Sequence, residues 1–327
     1  MLGGLARRVA FAEKMRRESA DTLILDSGDL FFSPPDIDQK DLAQKKARLM
    51  VLAYKRMGAA AVNVGDMDLL LGVDFLRREA AGLPLISANL LDAASKTPLF
   101  PPFVIREIAG VRIAFFGLLT NEFLPESAPI MQGAHGERMR IQDPQEAARE
   151  TVRKLSGRAD LVILLSDLGL SKDQMLAKSV PGIHFILGGH EGRYLRWPQQ
   201  VGNTYIFQSA KKGMYIGTLR LTLENLRSPF KDEGEVNQIN SQIEGLNYRL
   251  RGLEKARTRQ PDRKAQIDQS IAQINKQLMD LEEKIRQVRA SATKGNRFLY
   301  NLEQLGTDFP EDEKVQRWIA EAGIVKD

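Results

Sequence analysis

The chain has 327 residues, 47 Lys and Arg against 42 Asp and Glu, and a formal charge of +5. It has no cysteine, which excludes disulfides, thiolate metal sites and cysteine nucleophiles. The cations are interspersed rather than gathered into runs, so no nucleic acid is expected as a partner, and no apolar stretch is long enough for a membrane span. The first residues, MLGGLARRVA, lack the apolar core and small-residue cleavage site of a signal peptide.

In chain order, residues 1 to about 225 alternate amphipathic helical stretches with short apolar runs. Helical periodicity over 4–18 leads to a predicted strand over Thr22–Asp26, and that over 42–57 to one over Ala60–Val64. Leu83–Asn89, Phe103–Ile108 and Val111–Leu119 follow as strands, the last two joined at Ala109-Gly110 as a hairpin. A helix over 144–156 precedes a strand over Asp160–Ser166. Another over 172–179 precedes strands over Ile183–Leu187, Tyr205–Gln208 and Tyr215–Leu223. These runs are rich in Val, Ile, Leu and Phe, and several end in Gly, Asp or Ser, as buried strands of α/β proteins do. The pattern predicts a layered α/β sandwich with some antiparallel pairing over residues 1–230.

Residues 236–289 change period. Val236, Ile239, Ile243, Leu246, Leu250 and Leu253 step by three and four, and so do Ile267, Ile271, Ile274, Leu278, Leu281, Ile285 and Val288. Each run is a heptad seam too narrow to bury itself, and Pro261 between them disfavours a helix interior. An antiparallel helical hairpin (coiled coil) is expected over 231–292, with its turn near Arg257–Arg263. A continuous helix that dimerises is the alternative. Arg297–Leu305 then reads as a strand and Asp312–Ala322 as a helix, and 293–327 is expected to pack back on the first domain.

The chemistry-bearing residues fall where predicted strands end: Asp26-Ser27-Gly28-Asp29, Gly65-Asp66-Met67-Asp68, Ser166-Asp167-Leu168-Gly169 and Gly188-Gly189-His190-Glu191. Glycine-bearing loops at strand ends are where α/β folds place ligands. Carboxylates converging there would be costly if buried unpaired, and a metal or an arginine would resolve that cost.

The order of these segments resembles the calcineurin-like metallophosphoesterases, and more closely their 5′-nucleotidase branch. The resemblance runs unbroken from GGLARR (Gly3–Arg8) through TLILDSGD, AVNVGDMDLLLG, LPLISANL, GVRIAFFGLLT, ADLVILLSDLGL and GIHFILGGH to YIGTLRLTL, about residues 3–223. It implies an α-β-β-α sandwich and a pair of divalent ions, bridged by one aspartate, that orient a phosphate and activate water. Asp29 matches the bridging aspartate. Asp66 stands where the family's Gly-Asn-His-Glu motif has asparagine, and Met67 where it has the histidine that assists the transition state. Asp167 replaces the metal-binding histidine of a Ser-His-Leu-Gly segment. His190 matches the first histidine of Gly-His-x-His, and Gly192 replaces the second. The family's Asp-x-His motif precedes the segment matched by Gly3–Arg8, so the first strand and its two ligands are expected ahead of Met1. The resemblance therefore implies a degenerate site in which Asp29, Asp66, Asp167 and His190 hold one divalent ion (Mn, Mg or Zn) rather than two.

Other polar residues have plainer readings beside functional ones. Asp26 reads as a structural turn residue, Asp68 as a helix cap, Asp173 as part of a helix start, His184 as a packed histidine and His135 as a solvated loop residue. Asn89 resembles an asparagine near the nucleotidase active site and equally fits a strand-end role. Arg193 and Glu191 fit an anion contact or surface charge.

Two functions from different classes follow. One is a phosphoesterase of 5′-nucleotidase type with weak or altered activity on a phosphoester or nucleotide, with Asn89 and Arg193 as substrate-binding candidates. The other is a silent phosphoesterase-fold scaffold that engages a protein partner through the helical hairpin. By family resemblance the location is the periplasm or cell surface.

Overall fold

The computed structural model of the chain describes residues 4–33, 39–120, 139–210, 213–226, 228–291 and 295–324. His135 lies outside them. The chain divides into two compact units, Met1–Gly217 with Leu302–Asp327, and Thr218–Asn301.

The first unit opens with α1 (Leu5–Glu18), β1 (Leu25–Asp26), α2 (Lys40–Met57), β2 (Ala61–Asn63), α3 (Val73–Glu79), β3 (Leu85–Ile86) and β4 (Leu90–Asp92). It continues with β5 (Phe103–Ile108), β6 (Val111–Leu119), β7 (Met139–Ile141), α4 (Pro144–Leu155), β8 (Leu161–Asp167) and α5 (Leu170–Ser179). Then come β9 (Phe185–Gly188), β10 (Gln199–Val201) and β11 (Thr204–Gln208). Local chemistry sets several ends. Asp143 accepts the Glu146 N–H at 2.9 Å, and Pro144 takes the first helical position, whose N–H would have no partner. Gly58 closes α2 with φ of 58°, a left-handed cap that glycine adopts without a Cβ clash.

β1, β2 and β3 form a small parallel sheet in that order. The larger sheet runs β10-β11-β9-β8-β6-β5, parallel from β11 to β6 and antiparallel at both edges. The sheets lie face to face: Asn63 of β2 donates to the Leu118 carbonyl of β6 at 2.9 Å. Gly117 makes that approach feasible, because a Cβ there would collide with the Asn63 amide. α1, α2 and α3 cover the small sheet through Val9, Ala47, Tyr54 and Leu76 against Val62 and Leu85. α4 and α5 cover the large one through Ala148, Leu155 and Leu176 against Leu164 and Ile186. The architecture is the expected α-β-β-α sandwich. β8 is buried at every position, which explains its unbroken apolar run.

Differences from the predicted elements have local causes. The strand expected over Leu83–Asn89 narrows to β3, and the Asn89 amide bonds the Leu119 N–H and carbonyl where a strand backbone would. The expected strand over Thr22–Asp26 shrinks to β1 from its start, where the Thr22 N–H and hydroxyl bond the Ser19 carbonyl at the end of α1.

The second unit carries the sheet order β12-β14-β13, from β12 (Tyr215–Thr222), β13 (Lys231–Asp232) and β14 (Arg297–Gln304). Between β13 and β14 run α6 (Glu235–Arg259) and α7 (Lys264–Ser291), joined through a 3-10 turn at Pro261–Arg263. Ion pairs Lys284–Glu235 at 2.9 Å and Arg257–Asp268 at 2.6 Å tie opposite ends, so the helices run antiparallel. Ile239, Ile267 and Ile274 are buried along the seam and the rest of it is half-buried. The last helix, α8 (Glu313–Glu321), belongs to the first unit, and its capping Asp312 pairs with Arg56 at 2.8 Å.

Candidate metal centre

Four strands of the two facing sheets, β1, β2, β8 and β9, deliver one residue each to the same edge. Asp29 follows β1, Asp66 follows β2, Asp167 ends β8 and His190 follows β9. One ligand atom from each lies within 4.8 Å of the others. Donors on opposite sides of a single ion stand about 4.2 Å apart at ordinary metal–ligand distances, so the cluster is close to one-ion dimensions.

The loops interlock through backbone groups. The Met67 N–H donates to Asp29 Oδ1 at 3.0 Å, and the Asp66 N–H to Asp167 Oδ2 at 3.1 Å. Ser27 Oγ donates to the Leu187 carbonyl, and the Gly189 N–H to the Ser166 carbonyl, each at 2.7 Å. Gly65 is required by contact: a Cβ there would strike the Asp29 carboxylate and N–H. Asp29 and His190 both adopt left-handed backbone, with φ of 55° and 64°. That conformation costs an L-residue about 1 kcal/mol or more, and such strain gathers at functional sites.

The electrostatics are those of acidic groups crowded together away from water, where ionisation is opposed. Asp66 and Asp167 are 1% and 0% exposed. Both oxygens of Asp66 and Oδ1 of Asp167 accept no hydrogen bond among the described residues. Burial, then repulsion from Asp167, Asp68 and Asp66, pushes the Asp29 carboxyl up to about 9. Burial likewise raises Asp66, and burial with repulsion from Asp66 raises Asp167. His190 Nδ1 stands 3.3 Å from Asp167 Oδ1. Three carboxylates and an imidazole suit a divalent ion such as Mn, Mg or Zn, which would satisfy the orphaned oxygens. The residues present fit such an ion.

The other candidates lie aside from the cluster. Met67 is half-buried and contributes its N–H, not a side-chain donor. Asn89 is buried, its amide occupied by Leu119 and the Gln142 carbonyl. Arg193 is exposed and paired with Glu191. Asp68 is not a helix cap: it accepts the Phe31 N–H at 2.8 Å and the Gly65 N–H at 2.9 Å, stitching two site loops together. Its partner Phe31 is far away in sequence, so no local pattern revealed this. Asp26 bonds the Gly28 N–H and the Tyr54 hydroxyl, His184 Nδ1 accepts the Val162 N–H, and Asp173 takes the Ser166 hydroxyl. The Ser166–Asp173 pair, one residue before Asp167 in β8, was not read from the sequence. Lys172, bonded to Thr120 Oγ1 at 3.0 Å beside the end of β8, was also missed.

No family model matches the chain. Among curated proteins it is 26% identical to the uncharacterized metallophosphoesterase YunD of Bacillus subtilis (strain 168), over 67% of this chain and 47% of that one. It is 25% identical to a 5′-nucleotidase of Vibrio cholerae, over 75% of this chain and 48% of the relative. Among solved structures, a 5′-nucleotidase precursor from Thermus thermophilus superposes with a TM-score of 0.56 at 24% identity, covering 68% of this chain and 46% of that one. The chain spans about half the length of the curated relatives it matches. In fold the chain resembles the solved nucleotidase, and its curated relatives belong to the metallophosphoesterase superfamily. Within that superfamily the relatives support the 5′-nucleotidase branch, at low identity. No helix among the described residues is long and apolar enough to cross a membrane.

Proposed function

We propose that the chain is a metal-dependent phosphoesterase with a reduced, single-ion centre held by Asp29, Asp66, Asp167 and His190. One observation carries this reading: four chelating side chains converge on one edge, with buried carboxylate oxygens that accept no hydrogen bond among the described residues. A divalent ion held there would supply charge for a phosphoryl group and lower the pKa of water. The chain's own contribution is placement. The Asp66 and Met67 amides fix Asp167 and Asp29, and Asp68 fixes the two loops that carry Asp29 and Asp66. Arg193, next to this edge in sequence, would meet a substrate phosphate on leaving Glu191. Asn89 acts by holding the end of β6. The thioether of Met67 can neither donate a proton nor stabilise developing charge, a deficit worth about 10²–10⁴ in rate. Substrates are phosphoesters or nucleotides, by likeness to the nucleotidases, and the periplasm or cell surface is the setting.

Calorimetric titration with manganese tests the centre, beside His190→Ala, followed by hydrolysis of nucleotides and p-nitrophenyl phosphate. Binding lost in the variant, with slow hydrolysis in the parent, is the expected result. Failure of both proteins to bind would reject it. The substitutions at Met67 and Gly192 favour a second reading, a silent scaffold whose helical hairpin binds a protein partner. Metal binding without turnover of any phosphoester would support that one.

A further inference from the structure

The charge of the second unit is unevenly placed. Residues 249–264, the last turns of α6 and the bend into α7, hold seven Lys and Arg against two Asp and Glu. That excess of five matches the formal charge of the whole chain, +5.

Helical geometry sorts these cations. At 100° per residue, Tyr248, Arg251, Lys255 and Arg259 fall within about 80° of one another, on the side of α6 away from Leu246, Leu250 and Leu253. Arg257 points the other way and is tied to Asp268. Arg251, Lys255 and Arg259 are exposed and make no ion pair among the described residues. At the opposite end of the same two helices, Lys284 and Arg286 are both paired with glutamates. Tyr248, at the head of the stripe, is 74% exposed. Gly252 and Thr258 flank that stripe between Tyr248 and Arg259, each about 20° outside it. The stripe is therefore straight, about 16 Å long, cationic and headed by an amphipathic ring.

We infer that this face of α6 docks on an anionic phospholipid surface. Unpaired cations in a row meet a plane of headgroup phosphates without needing a shaped partner, and an exposed tyrosine suits the headgroup level. The face carries no Asn or Gln that would read base edges, which disfavours a nucleic acid as occupant.

The test is co-sedimentation of the full chain with phosphatidylcholine vesicles, with and without a third of phosphatidylglycerol. The expected result is binding to the anionic vesicles alone, reversed by salt. The triple variant R251Q/K255Q/R259Q should lower the partition coefficient about a hundredfold, roughly fivefold per cation. Y248A should lower it less. K276Q/R286Q/R289Q removes the same charge outside the stripe and should leave binding unchanged. All the substituted side chains are exposed, and circular dichroism will show whether helix content is kept. Equal binding to neutral vesicles, no binding to anionic ones, or insensitivity to the triple variant would overturn the inference. So would tighter binding to a short DNA duplex at matched ionic strength with the same dependence on the stripe.

Discussion

The strand-end cluster and the α6–α7 pair handle charge in opposite ways. At the cluster, carboxylates of one sign are buried together, with oxygens that accept no hydrogen bond among the described residues and two residues in left-handed backbone. Along the helices, charges of both signs stand in solvent, with the cationic excess gathered toward the bend, and the apolar residues keep to a seam. The cluster is locally unfavourable and would be completed by something from outside. The helices need nothing added to account for their packing. Locally costly structure held in place by a rigid sandwich is a mark of function, whereas a seam at heptad spacing is a mark of folding.

The largest effect expected concerns the cluster alone. Manganese at about a thousand times its dissociation constant should stabilise the protein by about 4 kcal/mol. Asp167→Asn should abolish that gain while raising the stability of the metal-free protein, because it removes a buried carboxyl whose ionisation burial and Asp66 oppose and keeps an acceptor for the Asp66 N–H. Denaturant unfolding with and without the metal measures both. A variant that loses metal and metal-free stability together would mean the carboxylate is structural.

Gly65→Ala should cost about 3 kcal/mol, since its Cβ would overlap the Asp29 carboxylate in a region without slack. It should also weaken manganese binding, which calorimetry would register. Met67→His, which introduces the histidine that the resemblance implies at this position, should raise phosphoesterase turnover by about 10²–10⁴, the range of general acid–base assistance. No gain would shift weight to the scaffold reading.

The pH dependence has a sign that depends on the metal. Asp29 titrates at about 9 in the folded protein against an ordinary 3.8. Between those values the folded protein keeps a proton that the unfolded chain has lost, so metal-free stability falls as pH rises through the window. Asp68 and Asp173, each pushed up to about 7 by burial, add to the same slope below neutrality. Metal binding needs the ionised carboxylates, so manganese affinity should rise over the same range. Thermal melts from about pH 5 to about pH 9, with and without manganese, should show the two curves diverging.

What the sequence made legible follows the range of the interaction that decides each feature. β5 and β6 were predicted at their observed limits, since apolar runs flank Ala109-Gly110, whose positive φ values of 50° and 78° make a tight two-residue turn. The four cluster residues were legible because each ends a strand in a glycine-bearing loop. The interlocking was not: Asp68 with Phe31, Asp66 with Asp167 and Gly65 with Asp29 are contacts between distant segments. β4, β7 and β10 are three residues each, too short to show alternation. α3 is only seven residues long.

The smallest effect is the one that tests the contrast most directly. Gly245 and Gly252 lie within α6, and a Cβ at either meets nothing within 4 Å. Glycine in a helix interior costs about 0.8 kcal/mol relative to alanine through backbone entropy. Gly252→Ala should therefore stabilise the helices by about that much, the reverse of Gly65→Ala. Helix content followed by circular dichroism during thermal unfolding reports it. If Gly252→Ala destabilised the protein instead, its open surroundings would have to be filled by a partner or a second copy, and the face bearing Arg251, Lys255 and Arg259 would be a packed interface rather than a solvated one.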